Sequence, residues 1–186
     1  LEVCYAPLDR IVADYLEASG YKVVPTREFE QLWKTALQVY GDVYDPLTGE
    51  VNRKTFALAL INVRDEMLKR DYADAIVFTD LLEQEAVFSS GLQHIARWHG
   101  VSRKPTLQGP GEGVSAGFNW NQPINVASLW INIYDMDLKR LFSSIGGLDT
   151  TQAIDTRSSS GRFVRRRSML ENESFLQEGI ELAFHP

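Results

Sequence analysis

The most regular alternation of apolar and polar residues lies in residues 126–147, VASLWINIYDMDLKRLFSSIGG. Successive side chains of a β-strand point to opposite faces, so a period of two predicts a strand with one buried face. The two faces of the first half are expected to be Ala127, Leu129, Ile131 and Ile133, and Ser128, Trp130, Asn132 and Tyr134. The segment therefore predicts two strands joined by a charged turn.

Apolar residues recur at helical spacing in four other segments, residues 9–19, 26–40, 53–70 and 171–184. Thr26 is expected to cap the second of these helices, and Gly41 to end it. The expected apolar face of the third helix consists of Phe56, Ala57, Leu60, Ile61, Arg64, Met67 and Leu68. A stripe of this kind is typical of a helix that packs on a sheet.

Short apolar runs predict further strands at residues 1–5, 21–24, 75–82 and 92–99, of which the last two are expected to pair. Three turn-rich or polar segments are interpreted as loop insertions, at about residues 42–52, 102–122 and 150–168. The predicted fold is a single α/β (α+β) domain over residues 1–186. In this fold, helices pack on one mixed sheet of about five or six strands.

The composition narrows the classes of function. The chain has 44% apolar and 24% charged residues, which are ordinary values for a globular protein. Its net charge of -6 argues against general binding of nucleic acid. Cys4 is the only cysteine, so no internal disulfide is possible, and we interpret it as a buried, inert thiol. We predict no catalytic residue, no metal site and no cofactor.

Five arginines stand close together in this acidic chain: Arg157, Arg162, Arg165, Arg166 and Arg167. This local reversal of charge predicts contact with an acidic protein surface or with lipid phosphates. The alternative is a solvated loop whose arginines pair with carboxylates of the same protein or of a neighbouring subunit. Nucleic acid is not the expected partner, because no aromatic RNA-binding pattern accompanies the arginines.

A different class of function is a small-ligand-binding protein or an enzyme that uses residues 94–120 as its pocket. The loop from Trp98 to Trp120 would be a lid, and the candidate pocket residues are His94, Arg97, His99 and Asn119. Such a pocket requires polar groups that converge. His94 and His99 are five residues apart, so on a regular strand they would point to opposite faces and could not share a metal ion.

Several segments, taken in order, resemble small bacterial envelope lipoproteins. They are a helix ending in GYKVVP, a helix followed by YADAIVFTDL, the hairpin VASLWINIYDMDLKRLFSSIGG, and a C-terminal helix after the arginine-rich segment. These lipoproteins have an anticodon-binding-domain-like α/β fold, which is also the fold of the TolB N-terminal domain and of the periplasmic part of the curli-secretion lipoprotein. The resemblance spans most of the chain, but no residue in it is diagnostic of an activity.

The resemblance implies a non-catalytic domain of the bacterial cell envelope that acts through protein–protein contacts or oligomeric assembly, in secretion or envelope maintenance. It implies a periplasmic location at the outer membrane, while a cytoplasmic location stays open. Leu1-Glu2-Val3 lacks the small residues of a lipobox, so any lipid-bearing cysteine is expected upstream of Leu1 rather than at Cys4. The candidate contact residues on the hairpin are Trp130 and Tyr134. The alternative is that both side chains pack under a helix or a long loop.

Overall fold

The structure is a computed structural model that describes residues 5–89, 93–157 and 160–185. The described helices are α1 (Tyr5–Ala18), α2 (Thr26–Tyr40), α3 (Arg53–Lys69) and α4 (Glu173–Phe184). The described strands are β1 (Ala75–Ala86), β2 (Ala96–Trp98), β3 (Val101–Arg103), β4 (Leu107–Gln108), β5 (Ile124–Asp135), β6 (Arg140–Thr150), β7 (Gln152–Asp155) and β8 (Arg162–Arg165).

The strands form three small sheets, with the orders β1-β5-β6, β2-β3 and β4-β7-β8. The mixed α/β character is confirmed, whereas the expected single sheet of five or six strands is not found in the described residues. The sheet β1-β5-β6 ends where β6 ends. Thr151 separates β6 from β7, and its N–H donates to the carbonyl of Asn125 in β5. Beyond Thr151 the chain pairs with β4 and β8 instead.

The predicted hairpin of residues 126–147 is confirmed as β5 and β6, and both strands are longer than expected. The carboxylate of Asp135 accepts the N–H groups of Asp137 and Lys139, which closes the turn between the strands. The face of β5 that carries Ser128 and Asn132 is partly covered by the rest of the protein, because Ser128 is fully buried and Asn132 is 9% exposed.

Other predicted elements are corrected by the structure. Residues 21–24 form no strand, and the segment predicted at 92–99 contributes only β2, which pairs with β3 rather than with β1. The expected strand at residues 1–5 lies outside the described residues except for Tyr5, which begins α1. The segments 102–122 and 150–168 are not simple loops, because they contain β4 and the pair β7–β8. β7 pairs with its near neighbour β8 and also with β4 from a distant part of the chain.

The chain divides into two compact units. The first consists of Leu1–Tyr15, Phe78–Asn132 and Phe142–Pro186, and is called the sheet unit below. The second consists of Leu16–Val77 and Ile133–Leu141, and is called the helical unit. In the described residues, no helix is long and apolar enough to cross a bilayer.

The core of the helical unit lies between α2 and α3. Trp33 of α2 meets Phe56 of α3 edge to face, with ring centroids 5.5 Å apart. The buried apolar residues of the two helices are Ala36, Ala59, Leu60, Val63 and Met67. The structure corrects the predicted cap of α2: Thr26 is the first residue of the helix, and the preceding Pro25 makes no side-chain cap. Gly41 ends α2 as expected, with φ 91°.

The core of the sheet unit includes a close approach of α4 to β6. A β-carbon at Gly179 of α4 would lie 2.6 Å from the carbonyl oxygen of Gly147 and 2.5 Å from Leu148 Cδ2. Both distances are shorter than van der Waals contact, so α4 can approach β6 this closely only because residue 179 is glycine and has no β-carbon. Leu176, Ile180 and Ala183 complete the buried face of α4.

Candidate interaction surfaces

The five arginines predicted as a cluster lie on and beside β8, and four of them have carboxylate partners. Arg157 and Arg162 pair with Asp155, Arg165 pairs with Glu83, and Arg166 pairs with Asp149. The backbone N–H of Arg167 donates to Gln108 Oε1. These contacts match the alternative in which the arginines pair with carboxylates of the same protein. A role in contact with a partner or a membrane stays a prediction.

Neighbouring hydrogen-bond donors lower the pKa values of two of these carboxylates. The side chain and backbone N–H of Arg157 hold the pKa of Asp155 well below its ordinary value. The hydroxyl of Thr151 and the guanidinium of Arg165 lower the pKa of Glu83. Both carboxylates are therefore ionised at neutral pH, and each arginine that faces them is held in a defined position.

The pairing does not neutralise the cluster. Four of the guanidinium groups share three carboxylate partners, so with Arg167 the five arginines carry two positive charges more than these carboxylates balance, in a chain of net charge -6. The side chains of Arg157, Arg162 and Arg165 are 59%, 73% and 54% exposed. Arg157 and Arg162 border an open cleft of about 410 Å³, which Asp155, Ser160 and Gly161 complete. This surface, called the arginine surface below, can attract anionic groups.

The predicted contact residues of the hairpin are neither fully exposed nor fully buried. Trp130 is half-buried, and its Nε1–H donates to Ser143 Oγ at 3.0 Å. Tyr134 is also half-buried. A role of Trp130 and Tyr134 in contact with a partner stays a prediction.

The four residues of the alternative pocket are engaged separately. The ring of His94 stacks on Trp120, with centroids 3.7 Å apart, while Asn119 accepts the backbone N–H of Asn121. Arg97 is exposed on β2. Among the described residues, no contact is found between any two of His94, Arg97, His99 and Asn119.

His99 instead belongs to a polar cluster of its own. Its Nδ1 lies 3.0 Å from Ser128 Oγ and 3.2 Å from Gln84 Nε2, and burial lowers its pKa. A serine beside a histidine suggests nucleophilic catalysis, but Ser128 is fully buried and a substrate could not reach it. In the described part of the chain, no three His, Cys, Asp or Glu side chains are placed to hold a metal ion. Cys4 lies outside the described residues.

The structure reveals one surface that the sequence interpretation missed, on α3. Leu58, Ile61 and Leu68 are 39%, 39% and 52% exposed, and their spacing of three and seven residues places them on one side of the helix. The buried residues Ala59, Leu60, Val63 and Met67 lie on the opposite side. We call the three exposed residues the outer stripe of α3. The expected single face wrongly placed Ile61 and Leu68 with the core.

Exposed apolar side chains are concentrated in the helical unit. Ten of the twelve large apolar side chains that are exposed among the described residues belong to it. Besides the outer stripe of α3, they are Tyr21, Val39, Tyr40, Tyr44, Leu47, Val51 and Leu141. The helical unit therefore exposes more large apolar side chains than the sheet unit, which carries the arginine surface.

The chain was compared with protein-family models, with curated protein sequences and with solved structures, and none of the three comparisons gave a match. The resemblance to envelope lipoproteins of the TolB and curli-secretion type therefore stays a prediction.

Proposed function

We propose that this chain is a non-catalytic domain of the bacterial cell envelope that acts by binding another protein or further copies of itself. The outer stripe of α3 is the observation that carries the proposal. One apolar side of α3 packs against the core of the helical unit, and we assign the opposite apolar side to the partner.

The energetics of the outer stripe favour a contact. Covering the exposed part of Leu58, Ile61 and Leu68 contributes about 1 kcal/mol for each side chain, since full burial of such a residue contributes about 1.5–3 kcal/mol. Leu47, which is 94% exposed, and Val39, which is 68% exposed, add apolar area in the same unit. Each of these side chains adds to the free energy of a contact in proportion to the apolar area that the contact covers.

The location in the cell envelope rests on the resemblance alone. Its support is the order of the helix before GYKVVP, the strand within YADAIVFTDL, the hairpin of residues 126–147 and the C-terminal helix. Within this proposal the protein belongs to the periplasm and the outer membrane, and assists secretion or envelope maintenance through its contacts.

Light scattering during size-exclusion chromatography tests the contact surface. If copies of the chain bind each other through the outer stripe, the wild-type mass exceeds the 21.1 kDa of one chain. The triple substitution Leu58→Gln, Ile61→Gln, Leu68→Gln then returns the mass to that of a monomer. Glutamine is chosen because it keeps the helix propensity of α3 high.

Val87→Gln is the matched control, because Val87 is 70% exposed and lies in the sheet unit. We expect it to leave the mass unchanged. A wild-type monomer contradicts self-association and leaves a different protein as the proposed partner. An oligomer that the triple substitution does not dissociate, although circular dichroism shows both variants folded, contradicts the proposed role of the stripe.

A further inference from the structure

Strand β8 lies at an edge of the sheet β4-β7-β8. Among the described strands it pairs with β7 alone, in antiparallel register, with Arg162 opposite Asp155 and Arg165 opposite Gln152. The described part of the chain places no strand on the other side of β8. An edge of this kind can accept an added strand.

The hydrogen bonds of β7 show which backbone groups of β8 face outward. Ile154 and Thr156 donate their N–H groups to Thr106 and Gln108, on the β4 side. Because backbone groups alternate in direction along a strand, Ala153 and Asp155 face β8 and pair with Val164 and Arg162. The intervening residues of β8, Phe163 and Arg165, therefore direct their N–H and C=O groups away from β7.

Charged side chains flank these outward backbone groups. Arg162 and Arg165 are three residues apart, and both are more than half exposed. Their carboxylate partners, Asp155 and Glu83, hold the guanidinium groups in place without neutralising the whole arginine surface. The edge thus combines hydrogen-bonding groups that no described strand pairs with and an excess of positive charge.

We propose that β8 binds an extended acidic segment of a partner protein, which adds to the sheet as an antiparallel strand. Main-chain hydrogen bonds to Phe163 and Arg165 supply the pairing. Acidic side chains three residues apart face Arg162 and Arg165 and supply the selectivity. The proposal concerns the sheet unit alone and does not depend on the outer stripe of α3.

Charge excludes a second copy of β8 as the added strand. Pairing two β8 edges would bring arginines of one copy opposite or diagonal to arginines of the other, which destabilises a strand pair. Lipid headgroups and nucleic acids offer negative charge, but they offer no peptide groups to Phe163 and Arg165. An acidic peptide is the partner that matches both properties of the edge.

The probe is the six-residue peptide acetyl-Thr-Glu-Val-Val-Glu-Thr-amide, whose glutamates match the spacing of Arg162 and Arg165. Its antiparallel pairing directs the N–H groups of the first glutamate and the second valine at β8. We expect N-methylation of those two residues to weaken binding at least about tenfold, measured by isothermal titration calorimetry. N-methylation of the first valine and the second glutamate, whose N–H groups point away, is the matched control and leaves the affinity within about twofold.

Protein variants test the charges. Arg162→Gln and Arg165→Gln each weaken binding of the probe by at least about fivefold, whereas Arg97→Gln, at an exposed arginine of β2, leaves it unchanged. The triple glutamine variant of the outer stripe also binds the probe normally, so failure of the proposed function and failure of this inference are distinguishable.

Three results would overturn the proposal. The first is no binding of the probe to the wild-type protein. The second is equal affinity for both N-methylated peptides, which would show that charge alone acts. The third is displacement of the probe, at equal charge concentration, by phosphatidylglycerol vesicles or by single-stranded DNA, which would assign the arginines to general polyanion binding.

Discussion

At the residue scale, Arg103 is a buried cation whose charge is fully compensated. Its side chain is 6% exposed, Nε donates to the carbonyl of Leu148 at 3.0 Å, and Nη2 pairs with Glu178. The guanidinium also lies over the ring of Phe175, 3.8 Å from its centroid. Because Glu178 and Phe175 belong to α4, this one side chain fastens α4 to β3.

We expect Arg103→Ala to reduce the free energy of unfolding by about 3 kcal/mol. The substitution removes the ion pair and the ring contact with α4, and the hydrogen bond to the carbonyl of Leu148 in β6. Arg103→Lys keeps the charge but cannot make the same divergent contacts, so we expect an intermediate loss. The check is urea unfolding followed by circular dichroism. Arg97→Ala, at an exposed arginine on the neighbouring strand, is the control, and an equal loss in that variant would contradict the role of Arg103.

His99 makes stability depend on pH. Burial lowers its pKa below the ordinary value of 6.5, so the unfolded chain binds the proton more readily than the folded chain. The contribution of His99 is therefore fully present above pH 6.5 and is lost as the pH falls below it. The lowered pKa values of Glu83 and Asp155 act in the same direction but only at more acidic pH.

The measurement is the thermal midpoint of unfolding between about pH 8 and about pH 5. His99→Asn is the test variant, because asparagine tolerates the positive φ of 37° that the turn between β2 and β3 requires. We expect the midpoint of the wild type to fall over this range by more than that of the variant. Parallel curves for the two proteins would show that His99 does not titrate as described.

At the scale of elements, the packing of α4 on β6 depends on glycine. Replacing a helical glycine by alanine normally stabilises a protein by up to about 1 kcal/mol. At Gly179 the added methyl group would overlap the carbonyl oxygen of Gly147, so we expect Gly179→Ala to destabilise instead, by about 1–3 kcal/mol. Gly113→Ala is the control, because a β-carbon at that position would have no neighbouring atom within 4 Å. Chemical unfolding that shows no difference between the two variants would contradict this packing.

Elements with strong local signals could be predicted from the sequence. The hairpin of residues 126–147 and the helices α2 and α4 have clear periodicity, and the structure confirms them. Strands β4, β7 and β8 have two to four residues each, which is too short for a period of two to be recognised, and β4 also depends on β7, which is distant in the chain. The face of α3 was misread because apolar residues occur on both of its sides, and periodicity alone does not show which side the core covers.

At the scale of the whole molecule, charge and apolar area are distributed unequally. The sheet unit carries a positive surface within a chain of net charge -6, and the helical unit exposes most of the large apolar side chains in the described residues. The sequence predicted the arginine surface, because five arginines in eleven residues are conspicuous. It could not predict the pairing of Arg165 with Glu83, which are 82 residues apart. Exposure of the outer stripe likewise follows only from the folded arrangement of α3.

The most direct test of the central claim is photo-crosslinking in living cells from the outer stripe of α3. A benzophenone amino acid would replace Ile61 or Leu68 in turn, and Glu112, an exposed loop residue of the sheet unit, would be the control. We expect positions 61 and 68 to form a discrete adduct with a second copy or with one defined protein of the envelope fraction, and position 112 to form none. No adduct from either stripe position, or the same adducts from all three positions, would contradict the claim that this chain works through that surface.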